Sequence, residues 1–110
     1  MSDSNVKIVI TVPTTHAEVV RKAMGDAGAG KIGKYEHCTF SSKGIGRFFP
    51  TAAASPKIGS VGKIEAVEEE RIETVCPRDS LDSVIKAIKS AHPYEELALD
   101  VYPLLEMEKS

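Results

Sequence analysis

The chain has 110 residues, 42% of them hydrophobic and 27% charged, the composition of one globular domain over residues 1–110. A domain of this size buries roughly two-thirds of its unfolded surface, enough for a core without disulfide or metal staples. Fourteen basic against sixteen acidic residues give a net charge of −2, which excludes a nucleic-acid binder working by phosphate neutralisation. The polar opening Met1-Ser2-Asp3-Ser4-Asn5 has no apolar stretch behind it and reads against a signal peptide. No apolar run approaches the length of a membrane span. Two cysteines, Cys38 and Cys76, are too few for a disulfide framework and fit reduced thiols, so a cytoplasmic protein is expected.

Val6 to Val12 reads V-K-I-V-I-T-V, β-branched on both faces, and predicts an inner strand that Pro13 ends. Thr15 and Glu18 have the spacing of a capping box. Ala17, Val20, Met24 and Ala27 follow at helical spacing. Gly25, Gly28 and Gly30 are expected to close that helix, glycine supplying the left-handed turn. Lys34 to Ser42 predicts a second strand, on which the neighbours His37 and Cys38 would face opposite ways. Lys43 to Gly62, with four glycines and two prolines, reads as a long loop containing some strand near Arg47 to Phe49. A connection of that length is usually functional or disordered.

Lys63 to Cys76 predicts a third strand. Ile64, Ala66, Ile72, Thr74 and Cys76 share one parity, but Glu68 and Glu70 interrupt it. Either a bulge shifts the register or the strand leaves the core midway. Asp79 or Ser80 would cap a second helix carrying Leu81, Val84, Ile85, Ile88 and Ala91. Pro93 stops it, and His92 is placed to donate to the last-turn carbonyls. Leu97 to Leu104 supplies the last strand. Strand, helix, strand, strand, helix, strand is the split β-α-β order, so the expected class is α+β, a ferredoxin-like βαββαβ sandwich with both helices on one face of an antiparallel sheet. Residues 1–5 and 105–110 are expected to be flexible.

Gly25 to Lys31 spells seven positions of a phosphate-binding loop, but Ile32 stands where Ser or Thr should be. The run also follows a helix instead of opening one, so a glycine-rich turn is the better reading. The three histidines and two thiols lack zinc-site spacing, and no cofactor is expected beyond weak binding of a divalent metal. Glu68-Glu69-Glu70-Arg71 is the densest charge cluster, either a solvated strand or one that pairs with a neighbouring subunit. Glu95 and Glu96, adjacent in a strand, would face opposite ways and cannot form a paired-carboxylate site. The residues singled out for binding or interface are His37, Cys38, Glu68, Glu70, Arg71, His92, Tyr94, Glu95 and Glu96, with no catalytic residue among them. The segment 92–96 is expected to be structural first. Tyr94→Ala should cost about 3–5 kcal/mol, and His92→Ala about 1 kcal/mol.

His92-Pro93-Tyr94-Glu95-Glu96, with Leu97-Ala98-Leu99-Asp100-Val101-Tyr102-Pro103-Leu104 behind it, is similar to the closing segment of the domain inserted in the Nif-three-like family (NGG-one-interacting-factor or YqfO type). Val12-Pro13, the run from His16 through Tyr35 to Cys38, Gly44-x-Gly46-x-Phe48-x-Pro50, Ile58-Gly59 and Val67 to Glu73 extend that likeness over residues 6 to 104. In longer members the flanking halves build a two-metal centre. The resemblance here is to the insert alone, so it implies neither that metal site nor hydrolase activity.

The insert resembles the PII and CutA proteins in fold. That implies a homo-oligomer, a trimer by analogy, with Lys43 to Gly62 in the place of the long PII loop. No PII effector-binding motif is recognisable. The expected function is a non-enzymatic regulatory module binding an unknown small effector or protein partner. The alternatives are a CutA-type divalent-metal binder using His37, Cys38 or His92 of adjacent subunits, and an enzyme with an intersubunit site employing Glu95 or Glu96.

Overall fold

A computed structural model of the chain describes residues 5–105. Its elements are β1 (Asn5–Pro13), α1 (Thr14–Asp26), β2 (Phe40–Phe48), β3 (Glu65–Pro77), α2 (Leu81–Ala91) and β4 (Leu99–Pro103), with one 3-10 turn over Arg78–Ser80. All strand pairs are antiparallel and the sheet order is β2-β3-β1-β4. This is the ferredoxin-like sandwich that the element order predicts. Asn5 already opens β1 opposite Pro77; apart from it and Leu105, the termini expected to be flexible lie outside the described residues.

One face of the sheet is covered by helices. Val6, Ile8, Ile10 and Val12 of β1 meet Ala17, Val20 and Met24 of α1, Val84 and Ile88 of α2, and Ile72 and Cys76 of β3 in a single cluster. Alternation along β1 sends this row to the helices and turns Lys7, Val9 and Thr11 to the opposite, open face. The interrupted parity of β3 resolves without a bulge, because its pairing to β1 and β2 runs on without a skipped residue. Glu69 to Pro77 pair with β1, whereas Glu65 to Glu68 pair only with β2. The strand outruns the helix layer, and its first residues form a two-stranded arm.

The capping box does not form. Thr14 is already helical, so Thr15 sits inside α1 and its hydroxyl pairs with His16, while Glu18 accepts from Arg21. Ser80 precedes α2 with no side-chain bond to a helix amide. The C-terminus of α1 matches expectation at Gly28, whose φ of +120° accompanies bonds from Gly28 N to Gly25 O and from Ala29 N to Met24 O. That is a Schellman closure. Gly25 itself is still helical.

The second strand begins later and ends later than the sequence suggests. His37 has φ 61°, a left-handed conformation that ends an extended run. Cys38 N bonds to Gly30 O, and Thr74 Oγ1 donates to Cys38 O, so residues 36–39 are tied to the end of β3 rather than laddered. Conversely, Lys43 to Gly46, read as loop, are strand and run into Arg47 and Phe48, where some strand is expected; the whole stretch pairs with Glu65 to Glu70. The irregular connection is therefore 49–64, closed at its base by Gly62 N on Pro50 O.

Candidate functional site

The register of β2 against β3 decides what stands on the open face. Phe48, Gly46, Gly44 and Ser42 lie opposite Glu65, Val67, Glu69 and Arg71. Two of the four β2 positions carry no side chain; the floor is bare backbone at Gly44, while the Glu69 carboxylate lies over Gly46. Connection 49–64 folds over this floor from one end. Segment 92–98, leaving α2, borders it along the β1 side, where Thr11 N bonds to Ala98 O.

What remains between them is a cleft of about 650 Å³, within the size range of small-molecule sites. Phe48, Phe49, Pro50, Ala54, Pro56 and Ile58 make an apolar wall, and Thr11, Arg71, Glu69, Tyr94 and Glu96 stand around the remainder.

Tyr94 holds the cleft together. Its hydroxyl donates to Glu69 Oε2 at 2.6 Å, and its ring meets Phe48 edge-on with centroids 5.2 Å apart. Burial first, and then the Glu69 carboxylate, push that hydroxyl well above the ordinary phenol range. Gly46 lies beneath this pair, and a Cβ there would overlap the Glu69 carboxylate and oblige it to shift. Glu95 Oε1 accepts the Ser55 amide at 2.8 Å and so fastens the covering connection to segment 92–96.

His92 supports the segment from inside. It is 5% exposed, and its Nδ1 accepts the Tyr94 amide at 3.1 Å. A ring nitrogen accepting from an amide carries no proton, so Nε2 holds the hydrogen and donates to Thr11 O at 2.8 Å. The imidazole is neutral in this arrangement, and burial lowers its pKa, an effect only partly offset by the Thr11 bond. The expected role of His92 as a side-chain donor to its own helix is corrected here. Only its backbone N–H bonds to Ile88 O, because the residue turns extended and its ring points at β1.

Of the residues singled out from sequence, Arg71, Tyr94, Glu95 and Glu96 come together at this cleft. The others do not line it. His37 lies beyond the α1 C-terminus with Nε2 3.1 Å from Asp26, and Cys38 is half-buried beside it. Lys22 and then His37 hold the Asp26 carboxyl below the usual carboxylate range. Glu68 is exposed on the arm. Glu70 faces the helices and binds Arg21 Nη1 at 2.6 Å, which also donates to Ser41. Neither His37–Cys38 nor Glu95–Glu96 sits in a strand, which removes the alternation argument made for both pairs. Among the described residues no three His, Cys, Asp or Glu side chains converge as a metal site would require.

Sequence reasoning missed Gly44, Gly46, Phe48 and Glu69. The available signal was the alternation Gly44-x-Gly46-x-Phe48, which a strand turns onto one face.

No protein-family model matches the chain. Over 98 residues it is 52% identical to a Bacillus subtilis protein named GTP cyclohydrolase 1 type 2 homolog, covering 89% of this chain and 26% of that protein. A Bacillus cereus protein related to NIF3 is 56% identical in the matched region, with TM-score 0.80, covering 93% of this chain and 26% of the other. The chain is a homologue of one segment of the Nif-three-like proteins. It spans about a quarter of the length of these relatives.

The same fold occurs in proteins of much lower identity. Archaeoglobus fulgidus CutA, a periplasmic divalent cation tolerance protein, matches at TM-score 0.68 and 20% identity, over 96% of this chain and 88% of that one. The GlnK–ATP complex of Bacillus subtilis matches at TM-score 0.62 and 18% identity, over 94% and 84%. The Nif-three-like segment is thus PII- and CutA-like in architecture. No helix among the described residues is long and apolar enough to cross a membrane.

Proposed function

We propose that this chain is a non-enzymatic, cytoplasmic binding module that holds a small effector in the open-face cleft and works as a homo-oligomer. The observation that carries the reading is the cleft itself, an apolar wall beside a floor left open at Gly44. Its polar groups favour binding over turnover. Glu69 is bonded to Tyr94 and Glu95 to Ser55, so these carboxylates hold the site's own parts in place and are not set against one another as an acid and base. The cyclohydrolase name belongs to relatives four times longer and is not transferred.

Oligomerisation follows from the arm. β2 is a sheet edge nine residues long, and Phe40 and Ile45 on it are 68% and 58% exposed. A long open edge that exposes apolar side chains is a surface on which another chain can pair. We favour the trimer on the likeness to PII and CutA folds.

Gly44 supplies the test of the cleft. Nothing lies within 4 Å of a Cβ built there, so Gly44→Leu starts from open space and puts an apolar side chain on the floor. Thermal melts against a panel of small metabolites should show compounds that raise the parent's Tm and leave Gly44→Leu unmoved. Equal shifts in both proteins, or none in either, contradict the reading. Light scattering behind a sizing column should give the mass of three chains, and the mass of one would remove the oligomer.

A further inference from the structure

The proposed cleft has a polar end whose chemistry is more specific than its volume. β3 lies between β1 and β2, and at one level of the ladder Thr11, Arg71 and Ser42 stand in register across the three strands. All three line the cleft. A guanidinium flanked by two hydroxyls is therefore set on the floor, next to the open position at Gly44, with the apolar wall beyond Gly46 and the Glu69 carboxylate over it.

Three of the acidic groups nearby, Glu69, Glu73 and Glu95, are already engaged. Arg71 donates Nε to Glu73 Oε2 at 3.1 Å, which orients the guanidinium. Its terminal nitrogens have no bond to another described residue. Glu69, two residues along the same face, takes the Tyr94 hydroxyl, and Glu95 takes the Ser55 amide. Glu96 is exposed at the rim. Lys43 and Arg47 alternate with Ser42, Gly44, Gly46 and Phe48 on β2 and turn their side chains to the opposite face, so Arg71 is the cation that stands on the floor, with Lys57 of the covering connection also in the lining.

We propose that the cleft takes a small organic monocarboxylate, its head on the Arg71 guanidinium between Thr11 and Ser42 and its apolar body against Phe48, Phe49, Pro56 and Ile58. This rests on the cleft being the binding site and adds the class of ligand. Two free terminal N–H groups of one guanidinium match the two oxygens of a carboxylate in parallel. A phosphate monoester would bring close to two negative charges against this single cation. The body must be apolar, since the wall offers rings and prolines in place of hydrogen-bond partners.

The test is an amide-resolved NMR titration with 4-phenylbutyrate, its uncharged amide and 4-phenylbutyl phosphate, on the parent, Arg71→Gln and Arg71→Lys. Arg71 is exposed, and unshifted core resonances report that the variants fold. We expect 4-phenylbutyrate to move the amides of Ser42 to Phe48 and Thr11. Affinity should fall about tenfold or more for the amide ligand and for Arg71→Gln, the loss of a charge-assisted bidentate pair, with Arg71→Lys in between. If the amide binds as well as the acid, or Arg71→Gln binds like the parent, the carboxylate proposal is overturned while the cleft survives. Tighter binding of the phosphate overturns the choice of head group. If none of the three moves cleft amides, the carboxylate proposal falls, and the metabolite melts with Gly44→Leu then decide the cleft separately.

Discussion

Tyr94 and Glu69 are joined by a hydrogen bond of 2.6 Å between a phenol and a carboxylate that is only 8% exposed. The bond spans the gap between the segment after α2 and the middle of β3, two elements that are distant in sequence. The hydroxyl offsets part of the cost of burying the Glu69 carboxylate. Tyr94→Phe keeps the ring on Phe48 and removes only the donor, so it should destabilise by about 1.5–3 kcal/mol, the range for a hydrogen bond to a charged group. Urea unfolding at neutral pH measures this, and Glu69→Gln in the Tyr94→Phe background should recover part of the loss.

Gly46 and Gly44 are two residues apart on one face but predict opposite outcomes. Gly46→Ala drives a methyl into the Glu69 carboxylate and should cost about 1–3 kcal/mol, as overpacking does. Gly44→Ala enters open space and should stay within about 0.5 kcal/mol of the parent. Parallel denaturant melts give the comparison; equal losses would refute the geometry of the floor.

His92→Ala is expected to cost more than a single ordinary bond. It strands both the Thr11 carbonyl and the Tyr94 amide, so about 2–4 kcal/mol is expected from two buried groups left unpaired. Tyr94→Ala then loses its wide margin over His92→Ala, because Tyr94 is only partly buried. Urea melts of the two variants should therefore give midpoints much closer together than the sequence suggests.

The same imidazole makes stability depend on pH. Its folded pKa lies below the ordinary value of 6.5, so on acidification the unfolded chain takes up a proton before the folded chain does. Stability is therefore intact above that value and declines as pH falls below it. Unfolding free energy should drop between pH 7.5 and 5.5 in the parent and drop less in His92→Asn. A parent that gains stability over that interval would contradict the neutral tautomer.

Arg21 and Glu70 connect α1 to β3 at 2.6 Å, with side chains 26% and 11% exposed. Removing Arg21 leaves an almost buried carboxylate without its partner, and Arg21→Met should cost about 2 kcal/mol, somewhat below a fully buried pair. The double replacement Arg21→Met with Glu70→Met should be close to the parent. Equilibrium melts of the two single variants and the double variant give the coupling directly.

The fold could be read from sequence wherever burial imposed a period. β1 and α2 carry uninterrupted apolar rows, and both appear within one or two residues of expectation. The reading failed where long-range contacts decide the backbone. His37 looks like one more strand residue until Thr74 and Gly30 are seen to hold its neighbour Cys38. Gly44 and Gly46 look like loop because glycine is a poor strand former, yet Glu69 leaves no room for a side chain at Gly46. Tyr94, Glu95 and Glu96, adjacent in the sequence, all line the cleft. Their partners Glu69, Phe48 and Ser55 could not be found, since nothing local in the chain announces contacts spanning 25 to 46 residues.

The most direct test of the open-face cleft is a crystallographic fragment screen of the protein. The account predicts that bound fragments gather between Phe48, Ile58 and Tyr94, over the backbone of Gly44 and Gly46. Fragments scattered over other surfaces, or a cleft filled by the side chains of a neighbouring copy in the oligomer, would contradict it.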